Sequence, residues 1–208
     1  MSRYIEAKCK LCRRERMKLF LKGDRCNTNK CAIERNRTTP GEPAKKIRKK
    51  LSGYATQLRE KQKVKRIYGI HEQQFRKYYE NAASIRGVTG EILLQFLERR
   101  LDNVIFRAGF APSRSAARQL VNHGHIMVNK HRVNIPSFLV KESDIIEVQE
   151  KSKNFDMITQ TLAKNGGKTR EWLGLDLPKM SVSVKQLPQR ADIDADINEQ
   201  LIIELYSK

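Results

Sequence analysis

Apolar residues recur at three- and four-residue steps in several long stretches of this 208-residue chain, and at two-residue steps in a few short ones. The first 50 residues show little of either, with only a small cluster at Met17, Leu19, Phe20 and Leu21. Helical periodicity begins near Tyr54. Between Gln57 and Arg66 a narrow stripe of Leu58 and Val64 runs through basic side chains. After Gly69, residues 72–83 place Phe75, Tyr78, Tyr79, Ala82 and Ala83 on one face, an aromatic core stripe. Leu93, Leu94, Leu97, Leu101, Val104 and Ala108 predict a single amphipathic helix that ends at Gly109. A second helix starts with Ser113 as N-cap, turns Ala117, Leu120 and Val121 inward and closes at Gly124.

From His125 the period shortens to that of strands. His125–Asn129 and Arg132–Ile135 form a hairpin about a turn at Lys130 and His131, broken by Pro136. Strands at Phe138–Val140 and Ile145–Val148 flank a turn over 141–144, a helical stretch runs near Phe155–Ala163, and Trp172–Leu175 and Met180–Lys185 read as further strands. At the C-terminus, Asp196 and Glu199 stand in capping-box spacing ahead of Ile197, Leu201 and Leu205, which share one face. This last helix is expected to pack back on residues 54–85, so that the middle of the chain is an insertion between two parts of one helical domain.

Charge changes the picture. The chain carries 42 Lys plus Arg against 23 Asp plus Glu, a net +19. Residues 1–50 hold 17 basic and 5 acidic side chains, a net +12, whereas residues 187–208 hold 2 and 5, a net −3. Such a field favours a polyanion, because Lys and Arg contacts to phosphates gain from counterion release. A membrane surface is the rival anion, but the sequence has no long apolar run, secretory signal or lipidation motif. No membrane association and a cytoplasmic location are therefore expected.

All four cysteines, Cys9, Cys12, Cys26 and Cys31, fall in the first 31 residues, as C-x-x-C, thirteen residues, then C-x-x-x-x-C. Two short-spaced pairs can each present two soft ligands from a tight turn, which suits one tetrahedral Zn2+. In a reducing compartment, metal is favoured over disulfide. An iron–sulfur cluster and unligated or redox-active thiols are the alternatives. A segment this poor in apolar residues is expected to fold on its metal. Lys8, Lys10, Arg13 and Arg14 clothe the first pair, and Thr38–Pro43 reads as a stiff connector to the basic run Lys45, Lys46, Arg48, Lys49 and Lys50.

Enzymatic chemistry has little to stand on. Gly166, Gly167, Lys168 and Thr169 mimic the end of a phosphate-binding loop, but the position that requires the earlier glycine is Leu162. His123, His125 and His131 have no carboxylate or cysteine at metal spacing, and no serine or cysteine stands in a nucleophile context. Asp192, Asp194 and Asp196 read as a solvated approach to the last helix. No catalytic residue and no small-molecule substrate are expected.

The segments 100–109 and 113–121, with Ile126–Asn129, resemble the RNA-binding domain named after ribosomal protein S-four. The segments 57–69 and 196–208 are similar to the bacterial S-four ribosomal protein family itself, over nearly the whole chain. The four cysteines resemble that family's zinc-bearing version. Two departures stand out: Pro40-Gly41-Glu42-Pro43-Ala44 replaces the common Pro-Gly-Gln-His-Gly, and the hairpin turn, commonly Asn-Gly, is here Asn129-Lys130-His131.

The resemblance implies an α+β protein with three parts. Residues 1–44 form a zinc-binding basic module and linker, residues 45–93 with 188–208 form an α-helical domain, and residues 94–187 form an S-four-type unit of two helices on a small antiparallel sheet. It further implies a structural constituent of the small ribosomal subunit that binds 16S ribosomal RNA early in assembly. Neighbouring small-subunit proteins would be partners, as would messenger RNA at the ribosome entrance, with a contribution to decoding accuracy and, in some members, repression of the protein's own messenger.

Candidate RNA contacts are Arg3, Lys8, Lys10, Arg13, Arg14, Lys22, Lys45, Lys46, Arg48, Lys49, Lys50, Arg59, Lys61, Lys63, Lys65, Arg66, Arg76, Lys77, Arg107, Ser113, Arg114, Arg118, His123, Asn129, Lys130 and Arg132. Within that set the basic face of 57–66 is expected to lie against phosphates, and Arg114, Arg118, Lys130 and Arg132 to converge on one face. The competing readings are an RNA-modifying enzyme or its specificity subunit, and a zinc-dependent DNA regulator.

Overall fold

A computed structural model describes residues 4–35, 38–41, 51–165, 169–193 and 196–207. Its contacts divide the chain into two units, residues 1–90 with 196–208, and residues 91–195.

In the first unit a short helix α1 (Cys9–Glu15) and a 3-10 turn (Gly23–Asn27) precede α2 (Gly53–Tyr68) and α3 (Glu72–Ser84). The Ser52 hydroxyl accepts the Ala55 N–H at 3.2 Å and so starts α2. Gly69 ends it with φ of +65°, a left-handed geometry that glycine adopts without strain. Val64 and Ile67 of α2 are buried, and of the stripe expected on α3, Phe75, Tyr78 and Ala82 are buried and Tyr79 half-buried, while Ala83 is exposed. The C-terminal helix α8 (Glu199–Tyr206) packs on α2, burying Ile202, and Gln57 donates to the Glu204 carboxylate at 2.8 Å. Asp196 does not cap this helix. Asn198 holds the N-cap position without a side-chain hydrogen bond, and the Asp196 carbonyl instead accepts the Lys63 ammonium at 2.6 Å.

Tyr206 closes α8 onto the other two helices. Its ring stacks on Tyr79 at 4.7 Å, and its hydroxyl donates to Glu72 at 2.8 Å. Glu72 also accepts Lys61 at 2.6 Å and Lys65 at 3.0 Å. Burial alone would disfavour the Glu72 carboxylate, but the hydrogen bonds from Lys61, Tyr206 and Lys65 outweigh it and hold the pKa at about 2. A depressed folded-state pKa stabilises the fold above the ordinary carboxylate value of 4.5, and this contribution is lost as the pH falls from there through about 2. The carboxylate is 43% exposed, so screening keeps the effect modest. The urea midpoint of the parent chain is expected to drop more steeply across this acid window than that of Glu72→Gln. Parallel pH profiles would contradict the role given to Glu72.

The second unit takes in most of α4 (Thr89–Glu98), then α5 (Leu101–Arg107) and α6 (Arg114–Asn122), followed by β1 (Ile126–Val128), β2 (His131–Arg132), β3 (Ile145–Val148), α7 (Asp156–Asn165), β4 (Leu173–Asp176) and β5 (Ser181–Val184). The five strands form one antiparallel sheet in the order β2-β1-β3-β5-β4. Its core gathers Leu101, Val104, Ile105, Phe110, Leu120, Ile126, Val148, Ile158, Trp172 and Val182. The α+β class follows, with helices covering a small sheet.

Three expectations are corrected here. The single helix across 93–108 is two helices, because Arg100 adopts an extended backbone with ψ of 134° and its neighbours bond to the 136–140 segment. Leu101 N–H donates to the Phe138 carbonyl at 2.8 Å, and Val140 N–H to the Arg99 carbonyl at 3.0 Å. Consequently Phe138–Val140 is not a sheet strand; it makes one isolated bridge, Leu139 with Arg100. The Arg100 guanidinium, fully buried at this break, pairs with Asp102 at 2.6 Å. The hairpin turn falls at Asn129 and Lys130, both left-handed with φ of +49° and +66°, and His131 already belongs to β2. Asn129 supports this geometry by accepting the Ile145 N–H and donating to Asp144, both at 2.9 Å.

Candidate nucleic-acid interface and cysteine cluster

Cys9 and Cys12 lie one turn apart on α1. Arg16 then takes a left-handed conformation with φ of +59° and redirects the chain toward the 3-10 turn that carries Cys26. The result is a small cleft lined by all four cysteines, with Lys8, Lys22 and Arg25 at its walls. All four thiols are free of disulfides, and three of them are buried. The Lys22 N–H donates to Cys26 Sγ at 3.3 Å. Burial pushes the Cys12 thiol up; the Leu19 N–H opposes that shift and the other three cysteines add to it. Sulfur donors, an N–H aimed at sulfur and adjoining cations suit a bound metal. The side chains are not arranged around an ion: among the described residues, no three His, Cys, Asp or Glu groups stand in ligand geometry.

The candidate RNA contacts divide by what they touch. On α2, Arg59 and Arg66 both pair with Glu15, whose side chain is only 3% exposed at the end of α1. Lys61 and Lys65 pair with Glu72, and Lys63 pairs with Glu60 at 2.7 Å. The basic face of this helix is thus largely tied down inside the unit instead of standing open. Arg107 is similarly committed, to buried Glu98 at 2.7 Å. Arg114 donates to Asn103 at 2.8 Å with its guanidinium over the Phe106 ring, and the Ser113 hydroxyl caps α6 by accepting the Ala116 N–H. Arg13 donates to the Thr38 carbonyl, Lys8 is half-buried on the cysteine cleft, and Arg118 is half-buried on α6.

Other candidates are open to solvent. Lys10, Arg14, Lys22, Arg76 and Lys77 are exposed in the first unit, and His123, Asn129, Lys130 and Arg132 in the second. Lys10 and Arg76 meanwhile pair with Glu6 and Glu80 along their own segments. Gly124, with φ of +74°, has the Arg132 guanidinium against it; a Cβ there would stand 2.1 Å from Nε. Arg3, Lys45, Lys46, Arg48, Lys49 and Lys50 lie outside the described residues, as do Gly166, Gly167, Lys168 and Asp194. Asp192 accepts the Gln189 N–H at 2.7 Å, an ordinary turn contact. Glu15, the shared partner of Arg59 and Arg66, is a scaffold residue that the sequence does not mark. A single glutamate among arginines gives no periodic or motif signal that would have found it. No described helix is long and apolar enough to cross a membrane.

Residues 3–98 match the family described as ribosomal protein S4/S9 N-terminal domain, and residues 99–146 match the S4 domain. The chain is 56% identical to small ribosomal subunit protein uS4A of Alkaliphilus oremlandii over the full length of both. It is 56% identical to small ribosomal subunit protein uS4 of Solidesulfovibrio magneticus and 52% identical to that of Thermus thermophilus, again over all of each chain.

Proposed function

The chain belongs to the small ribosomal subunit protein uS4 family, and from that membership we infer that it is a structural, non-catalytic constituent of the small ribosomal subunit. Full-length identity of 52–56% to proteins of that name carries the reading. The physical character of the chain agrees with it: a net +19, with exposed cations on both units. Binding is by phosphate neutralisation and recognition of folded RNA shape. The exposed set of Lys10, Arg14, Lys22, Arg76, Lys77, Lys130 and Arg132 carries the phosphate contacts, while the paired residues of α2 hold the scaffold in shape.

The finer roles follow from the family resemblance. They are early docking to 16S ribosomal RNA, contact with neighbouring subunit proteins, a contribution to decoding accuracy beside the messenger path, and repression of its own messenger. Residence on cytoplasmic ribosomes accompanies them. One Zn2+ held by Cys9, Cys12, Cys26 and Cys31 orders the N-terminal module; the shared cleft and the N–H donor to sulfur support this assignment.

Sucrose-gradient sedimentation of lysate from cells making a tagged chain tests the function. The chain is expected with the small subunit, and with that subunit's ribosomal RNA after nuclease-free washing. A chain that stays at the top of the gradient, or that leaves ribosomal RNA for excess duplex DNA, would favour the competing regulator reading.

A further inference from the structure

His123, His125 and Phe155 come from three separate places in the second unit: the end of α6, the residue before β1 and the residue before α7. Their rings nonetheless form a row. The His125 and Phe155 centroids are 5.7 Å apart with planes 19° from parallel, and the His123 ring stands 6.0 Å from His125, tilted by 49°. The His125 Nδ1 pairs with the buried Ser152 hydroxyl at 2.8 Å, which fixes the middle ring. The outer members are open: His123 is exposed and Phe155 is 48% exposed. Beside them the exposed Arg132 guanidinium donates to the His123 carbonyl at 3.2 Å, and Lys151 is exposed one residue before Ser152.

Exposed aromatic faces flanked by cations are the means by which proteins hold bases of unpaired nucleic acid. The ring takes the base, the cation takes the backbone, and a continuous duplex offers no free base face. We propose that the row of His123, His125 and Phe155 is a stacking platform for one unpaired base, in a loop, bulge or junction of the bound RNA. The proposal rests on the RNA-binding reading above and adds a single-stranded subsite to it. Burial, together with the neighbouring His123 and Arg132, pushes His125 below its ordinary pKa, so the middle ring is neutral near pH 7 and suits stacking better than phosphate pairing.

Small-subunit ribosomal RNA binding to the full-length chain, its Phe155→Leu variant and its Phe155→Tyr variant separates the outcomes. Leucine keeps apolar bulk but removes the ring face, so affinity is expected to fall about tenfold, the cost of one lost base stack. Tyrosine keeps the ring and is expected to bind like the parent, and the salt slope should be unchanged in both, since no phosphate contact is removed. Ultraviolet cross-linking of the parent complex, followed by mass spectrometry, should place a nucleotide adduct on Phe155 or His125. Equal affinity of the leucine variant and the parent, equal loss in both variants, or adducts confined to other residues would each overturn the platform and leave RNA binding intact. Failure of the parent chain to bind the RNA at all would overturn the functional reading itself.

Discussion

Chelation of zinc is expected to collapse the amide dispersion of residues 4–35 while leaving α2, α3, α8 and the sheet unit folded. The module has little else to hold it together. Its buried residues are Leu19 and Ala32 with the thiols of Cys12, Cys26 and Cys31, and most of its other positions are exposed or half-exposed. So small an apolar core does little to offset the conformational entropy of ordering the segment. Metal ligation by thiolates couples binding free energy directly to folding of the module. Burial, with a smaller contribution from the other three cysteines, pushes the Cys12 thiol up, and a cation among the four sulfurs would oppose both effects. A second effect follows. Because Glu15 ends the helix that carries Cys9 and Cys12, unfolding the module deprives Arg59 and Arg66 of their shared carboxylate. The Cys12→Ser variant should reproduce the chelated spectrum at metal concentrations that saturate the parent. An amide spectrum of residues 4–35 that chelation leaves unchanged would contradict both the ligand assignment and the coupling.

Much of the fold was legible where one segment contains its own instructions. Ser113 announces α6, and the stripe from Phe75 to Ala82 announces the buried face of α3. The break between α4 and α5 was not legible, for a physical reason. Apolar spacing runs unbroken from Leu97 to Leu101, and the interruption depends on backbone groups at 136–140 that only the folded sheet unit brings alongside. The last helix shows the same limit from another side: Asp196 had the right spacing for a cap, but the helix begins only at Glu199, after the Asn198 N–H has bonded to Glu60, far away in sequence.

The interface was legible as charge but not as availability. Composition places Arg59, Lys61, Lys63, Lys65 and Arg66 on one helix, yet says nothing of Glu15 and Glu72, which arrive from other elements to pair with them. The exposed ring of Phe155 gave no signal either, since its importance arises from His125 meeting it in space. The four cysteines are the opposite case. Their spacing grouped them, and all four line one cleft, although among the described residues no three stand in ligand geometry.

As an RNA binder the chain is expected to behave as a cationic scaffold that gains affinity by displacing counterions from folded RNA. With a net +19 and at least seven exposed Lys or Arg side chains, several phosphate contacts are expected to form at once. Each contact steepens the dependence of log affinity on log salt, by a slope of about −0.7 to −0.9. Replacing Lys130 and Arg132 together by glutamine should lower affinity uniformly across RNA sequences and flatten the slope by about one to two. The most direct measurement is a titration of small-subunit ribosomal RNA with the zinc-loaded chain at salt concentrations from 50 to 200 mM. Affinity is expected to fall by about a thousandfold over that range; a dissociation constant that stays nearly level would contradict the electrostatic grip on which everything else is built.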